Sequence, residues 1–289
     1  MWFELDFVLD ENAQKRLFSA GEVTTTSIRK CLAALNSKYG IGLPSQAFGY
    51  ADPQTPSNNP HDMLSFMVLG GRNAQGIRLI ATGMRSCGAL DICAQAIRAA
   101  LIMEGRSAVS MFKRSGQFSA QWNPFPVRYV IPEMVVGDKG KNGLWCTMAQ
   151  QVTKTGASWL EVADRRLPRT IADSIASTLW QLQDTGEDVE GSIAEEIANG
   201  IARGSKKADV QAQLREEIKV QVQAVRGFCF LEKEYAKASV SRVLLKGVEF
   251  TAWVDLSGPY FIGREKLRGK GRVFPARRET QQVAEEKYA

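Results

Sequence analysis

The spacing of apolar side chains changes between residues 170 and 226, and this change constrains the fold more than any other feature of the sequence. Apolar residues recur there every three or four positions, which is the spacing of helices that bury one face. Strand-like patterns precede and follow this segment. It therefore predicts a helical subdomain inserted into an otherwise mixed chain. The three apolar stripes are Ile171, Ile175, Leu179 and Leu182, then Ile193, Ile197 and Ile201, then Val210, Leu214, Ile218, Val222 and Val225.

Polar and glycine residues set the expected limits of these helices. Thr170 is suited to cap the first helix, and Ser192 with Glu195 has the spacing of a capping box before the second. Gly227 is expected to end the third helix. The basic turn that contains Lys206 and Lys207 joins two of these helices.

The N-terminal part of the chain, from 1 to 110, predicts one ferredoxin-like module. A strand is expected at 2–9 and a helix ending at Gly40, followed by strands at 64–69 and 77–81 and a helix at 91–103. The order strand, helix, strand, strand, helix fits half of a split βαβ unit. We expect an α+β protein with a ferredoxin-like, RRM-like fold.

The rest of the chain is expected to be rich in strands. The middle predicts strands at 127–131 and 144–148, with Pro124, Pro126 and Pro132 confining them to edges or irregular places. Short strands are expected again after Gly227. The predicted division is an N-terminal module at 1–110, an irregular connection at 111–169, a helical finger at 170–226 and C-terminal strands at 227–289.

Several classes of protein are disfavoured by the sequence. The five cysteines are scattered without a CxxC pair, and the chain has a single histidine, so neither a metal site nor a disulfide framework is expected. No apolar run is long enough for a membrane helix, and the N-terminus does not resemble a signal peptide. Walker and Rossmann glycine motifs are missing. We expect a cytoplasmic protein without membrane contact, cofactor or metal.

Basic residues cluster near the C-terminus. The net charge of the chain is +6, and residues 261–278 carry seven Arg and Lys side chains against the single acid Glu265. Glycines at 263, 269 and 271 allow tight turns and a close approach of the backbone to a ligand. Such a segment suits a polyanion such as RNA, whose phosphates are bound by Lys and Arg.

A basic glycine-rich segment after short C-terminal strands, in a chain that opens with a ferredoxin-like unit, resembles the RAMP proteins of CRISPR systems. The sequence is most similar to their crRNA-processing endoribonucleases, and the helical insertion resembles that of the type IV version. The resemblance is specific over residues 242–275. It implies ferredoxin-like RAMP modules and cleavage of the repeat hairpin of pre-crRNA without a metal, by attack of the ribose 2′-hydroxyl.

The resemblance also implies site residues. Many family members place a histidine on or just after the first helix, and this sequence has none there. Arg29 and Lys38 of the first helix are therefore expected to face Arg242 and to stabilise charge, with loop-borne His61 as an alternative proton carrier. The remaining candidates for RNA contact are Lys30, Lys206, Lys207, Arg264, Lys266, Arg268, Gly269, Lys270, Gly271 and Arg272.

Two functions stay open at this stage. The first is an endoribonuclease that cuts the repeat hairpin, yields a 2′,3′-cyclic phosphate and stays on the crRNA 3′ end beside other subunits of an effector complex. The second is a non-catalytic RAMP subunit that caps the crRNA in such a complex. The missing helix histidine favours the second function, and the basic glycine-rich segment favours the first.

Overall fold

The fold is described from a computed structural model. It describes residues 1–9, 25–40, 42–43, 63–69, 76–103, 108–137, 143–184, 189–235, 238–264, 266 and 270–276. None of the described helices is both long and apolar enough to cross a membrane.

The N-terminal part forms an antiparallel sheet with two helices. Its elements, in chain order, are β1 (Trp2–Leu9), α1 (Thr25–Tyr39), β2 (Met63–Leu69), β3 (Gly76–Thr82), α2 (Met84–Met103) and β4 (Ala108–Gly116). The strand order is β2-β3-β1-β4, and every neighbouring pair is antiparallel. This order is that of a ferredoxin-like fold, so the fold predicted for the N-terminal part is confirmed.

The two faces of this first sheet have different partners. Successive side chains of a strand point to opposite faces. Leu5 and Phe7 of β1 pack into a core with Leu32 of α1 and Cys93 of α2. Glu4 and the side chains that share its face point away from these helices.

The second sheet repeats the order of the first. Its strands are β5 (Phe118–Val136), β6 (Val189–Glu190), β7 (Gln221–Tyr235), β8 (Ala238–Ser257) and β9 (Phe274–Pro275). The order β7-β8-β5, with β9 on the far side of β5, matches β2-β3-β1-β4 of the first sheet. The connection from β8 to β9 stands where the second helix of a ferredoxin-like module would be.

A group of helices lies between β5 and β7, where a ferredoxin-like module has a single helix. They are α3 (Leu144–Thr155), α4 (Trp159–Val162), α5 (Arg166–Asp184), α6 (Ser192–Ala202) and α7 (Lys207–Ile218). Their apolar faces pack on one face of the second sheet and form a core that includes Ile175, Leu179, Ile197 and Leu214. The predicted architecture is therefore confirmed: ferredoxin-like modules with an inserted helical subdomain.

Four local predictions were wrong. Thr170 does not cap its helix, because α5 already begins at Arg166 and the Thr170 hydroxyl donates to Arg166 O at 2.8 Å. Residues 144–148 lie in helix α3 and not in a strand, because the buried residues Trp145, Cys146 and Ala149 follow helical spacing. Ser192 is not a helix cap; Gly191 stands at the N-cap, and Ser192 Oγ accepts the backbone N–H of Trp122 at 3.1 Å. The third helix ends at Ile218 because Lys219 adopts the left-handed conformation, with φ at 47°.

Two of the three prolines of β5 lie at an irregularity inside the sheet. β5 is an interior strand, but its pairing with β8 is interrupted between Trp122 and Val127. Pro124 and Pro126 fall within this interruption, where no ladder hydrogen bond is required of them. A bulge at 123–126 thus takes up both prolines.

Candidate functional site

A buried ion cluster joins the C-terminal segment to the first sheet. The guanidinium of Arg272 donates from Nη2 to Oε1 of Glu4 on β1. Arg78 on β3 lies 3.6 Å from the other Glu4 oxygen and donates to both oxygens of Asp6, at 2.6 and 2.7 Å. Glu4 is 3% exposed and Arg272 is 9% exposed. These four residues form the inter-module ion cluster.

The base of the glycine-rich segment is held by backbone hydrogen bonds. Arg264 N–H donates to Val135 O at 2.8 Å, and Gly271 N–H donates to Glu133 O at 2.6 Å. Gly271 has φ at +81°, and a Cβ there would come within 1.8 Å of Ile262 O. Only glycine fits where the backbone passes this close to Ile262. This close approach closes the segment into a loop against β5.

Burial shifts the pKa of two basic groups at this place. Desolvation lowers the pKa of Arg272, and the attraction of Glu4 partly opposes it. Burial also lowers the pKa of Lys266 to about 8. Ser65 Oγ on β2 donates to Lys266 O at 2.9 Å and ties this part of the loop to the first sheet. The loop therefore lies in the junction between the two modules.

The candidate catalytic residues lie on different modules. Arg242 is half-buried on β8, next to the pair Val243–Val136 and close to where Arg264 is held against Val135. Lys38 is exposed at the end of α1, which packs on α2 and β2, and its ammonium lies 5.2 Å from the centroid of the Tyr39 ring. A hydrogen bond with Tyr39 raises the pKa of Lys38. Arg29 is on α1 with its side chain outside the described residues, and His61 also lies outside them.

The candidates for RNA contact divide by their environment. Arg264 and Lys206 are exposed, and Lys207 is half-buried at the start of α7. Lys270 forms an ion pair with Glu133, and Arg272 is turned inward to Glu4. Gly271 allows the backbone to pass close to Ile262 at the base of the loop. Arg268, Gly269 and the side chain of Lys30 lie outside the described residues.

Sequence reasoning did not single out Glu4, Asp6 and Arg78. Their alternation with apolar residues is also what a solvent-facing side of a strand shows, so the pattern gives no sign of a covering segment. Within the described ranges, no three His, Cys, Asp or Glu side chains group closely enough to hold a metal ion.

Comparison with known proteins gives the family. The family model described as "Type IV CRISPR-associated endonuclease Csf5" matches residues 16–278. No curated protein matches the sequence significantly.

Three solved structures are similar in fold, at low identity. A structure described as Csf5, the CRISPR-Cas type IV Cas6 crRNA endonuclease, is 18% identical, covers 95% of this chain and 99% of its own, and has a TM-score of 0.48. A Cas6 product complex is 12% identical at 95% and 98% coverage with a TM-score of 0.46. A Cas6b structure is 16% identical at 96% and 100% coverage with a TM-score of 0.42. Because the family model covers the second module, the helical insertion, the glycine-rich loop and all of the first module except β1, the chain belongs to the family of type IV CRISPR-associated endonucleases named Csf5.

Proposed function

We propose that this protein is a metal-independent endoribonuclease that binds and cuts the repeat hairpin of pre-crRNA. The observation that carries the proposal is the family match, which includes Arg242 and the whole glycine-rich loop. The product is proposed to stay bound at the crRNA 3′ end, where the protein acts as a subunit of an effector complex in the cytoplasm.

The position of Arg242 supports a role in charge stabilisation. Arg242 and the exposed Arg264 lie at the same end of the second sheet, because Arg264 is held against Val135 and Val135 pairs with Leu244. An arginine stays charged at any physiological pH, so it stabilises an anion and does not act as an ordinary base. Such a site favours charge stabilisation and positioning over proton transfer.

The proposed reaction is an internal transfer at phosphorus. The ribose 2′-oxygen loses its proton and forms a bond to the adjacent phosphorus, while the bond from phosphorus to the leaving 5′-oxygen breaks and that oxygen takes a proton. The products are a 2′,3′-cyclic phosphate and a 5′-hydroxyl. Arg242 is proposed to stabilise the negative charge on the non-bridging oxygens, with Lys38, Arg29 and His61 as further candidates.

The role of Arg242 is tested by the variant Arg242→Ala in single-turnover cleavage of repeat RNA. Loss of one charge-stabilising donor is expected to slow cleavage by about 100- to 1,000-fold. The dissociation constant for the same RNA is expected to rise far less. The matched control is Arg165→Ala, an exposed arginine between α4 and α5 on neither sheet. Equal losses in cleavage and binding would assign Arg242 to RNA positioning.

A second candidate function is a non-catalytic cap on the crRNA. The observation that favours it is the single histidine of the chain, His61, which lies beyond the first helix. Tight binding of the repeat hairpin without any cleavage would support this function and contradict the endonuclease proposal.

A further inference from the structure

The second sheet has one face that the helices do not cover. Along β8, Val248, Phe250, Ala252 and Val254 point into the core, so the residues between them point to the other side. We call this other side the open face. Its described members include the cations Arg128, Arg226, Arg242 and Lys246, the acids Glu249 and Asp255, and Trp253.

Two arginines meet over one glutamate at the centre of the open face. Arg226 on β7 donates from Nε to Oε1 of Glu249 at 2.8 Å, and Arg128 on β5 lies 4.0 Å from the other oxygen. The side chains of Arg226 and Arg128 are 74% and 71% exposed, whereas that of Glu249 is 20% exposed. One carboxylate therefore orients two guanidinium groups, which keep an excess positive charge toward solvent.

Gly247 makes this arrangement possible. Arg226 is a neighbour of Gly247 across the β7–β8 pairing, and a Cβ at Gly247 would lie 2.8 Å from Arg226 Cδ. The missing side chain lets Arg226 extend over β8 to reach Glu249. Arg226, Glu249 and Arg128 thus lie in a row across β7, β8 and β5.

A solvent-exposed aromatic ring lies in the bulge of β5, opposite the open-face residue Trp253. Phe125 is 75% exposed, more than any other described large apolar side chain. It lies in the bulge of β5 at 123–126, between two prolines, and its N–H donates to Asn123 Oδ1 at 3.0 Å. The bulge interrupts pairing opposite Trp253, between the pairs Trp122–Val254 and Val127–Ala252. This hydrogen bond orders the backbone at Phe125, which lowers the entropy cost of binding a ligand there.

Charge and position favour RNA as the occupant of the open face. At its centre the exposed guanidinium groups of Arg226 and Arg128 share the single carboxylate of Glu249, and this local excess of positive charge suits a phosphate backbone. Arg242 lies near the beginning of β8 and Trp253 lies near its end. The solvent-exposed part of this side extends from Lys246 to the aromatic bulge, whereas Leu244 and Val135, on the same side nearer to Arg242, are 7% and 0% exposed. Paired stems offer no free base to an aromatic ring, whereas unpaired nucleotides do.

We propose that the open face binds unpaired nucleotides that flank the repeat hairpin, with a base stacked on Phe125 and phosphates on Arg128 and Arg226. The proposal rests on the proposed function and adds to it the site for single-stranded RNA. Cation contacts supply affinity, and the exposed ring supplies a sequence-tolerant stacking surface.

The test compares three labelled RNAs: the repeat hairpin alone, the hairpin with its unpaired flanks, and an oligonucleotide of the flanks alone. Phe125→Ala is expected to raise the dissociation constant of the two flank-containing RNAs by about 5- to 150-fold and to leave the hairpin alone unchanged. Phe125→Trp is expected to restore binding. The matched control is Phe230→Ala, which changes another exposed phenylalanine, one that packs edge-to-face against Phe228 on the helix side of β7.

The outcomes separate this inference from the proposed function. Hairpin binding that gains nothing from the flanks, or equal effects of Phe125→Ala and Phe230→Ala, would overturn the inference and leave the endonuclease proposal standing. Flank binding that depends on Phe125, without any hairpin binding or cleavage, would support the inference and contradict the proposed function. Phe125→Ala protein that releases a bound protein partner and binds all three RNAs normally would show a protein surface and overturn the inference.

Discussion

The substitution Glu4→Gln tests whether the inter-module ion cluster holds the loop in place. Glu4 is 3% exposed and contacts both Arg272 and Arg78. The variant leaves Arg78 with Asp6 as its partner but leaves the charge of Arg272 buried, and within the described residues Nε and Nη1 of Arg272 already make no hydrogen bond. Removing one partner of a buried ion pair costs about 3–5 kcal/mol. That cost is large beside a total stability of about 5–15 kcal/mol.

Urea unfolding followed by circular dichroism measures this loss. The matched control is Glu133→Gln, which removes the partner of Lys270 from a pair whose side chains are 43% and 29% exposed, and it is expected to cost about 0–1 kcal/mol. The double variant Glu4→Gln with Arg272→Met is expected to recover much of the loss because no unpaired charge stays buried. A Glu4→Gln cost as small as that of Glu133→Gln, or a double variant that only adds the two losses, would refute the reasoning.

Three further results are expected. Gly271→Ala is expected to lower the free energy of unfolding by more than about 1 kcal/mol because of its positive φ and its contact with Ile262 O, whereas Gly227→Ala, with open space at its Cβ, stays within about 1 kcal/mol. The folded-state pKa of Lys266, about 8, lies below the ordinary 10.5, so the unfolded chain binds more protons between these pH values and stability rises with pH there. Lys266→Met removes this rise, as urea midpoints at pH 7.5 and 9.5 would check; an unchanged rise contradicts burial of the ammonium. The affinity for repeat RNA should fall steeply with salt, and a flat response in a salt titration would contradict binding led by phosphate contacts.

Local patterns were enough to predict the first module. Alternation along β1 and the helical spacing before Gly40 depend on burial within one element, and both are visible in the sequence. The run at 144–148 was misassigned because a short apolar run fits a strand and a buried helix turn equally well. The end of α7 at Ile218 was missed because Lys219, a residue that rarely takes positive φ, forms the left-handed stop.

The environment of the basic loop could not be read from its composition. Arg264 and Arg272 belong to the same cluster of charges, but one is exposed and the other is buried against Glu4, which lies 268 residues away in the chain. That difference depends on how the two modules pack. The open face escaped notice for the same reason, because Arg128, Arg226 and Glu249 come together only through strand pairing and the glycine at 247.

Cleavage of labelled repeat RNA in EDTA tests the central claim most directly, with the same RNA carrying a 2′-deoxy substitution at the cut site as its control. The account predicts cleavage in the presence of the chelator, a 2′,3′-cyclic phosphate end, and no cleavage of the deoxy RNA. Cleavage that needs added metal, or that proceeds on the deoxy RNA, would contradict the proposed mechanism.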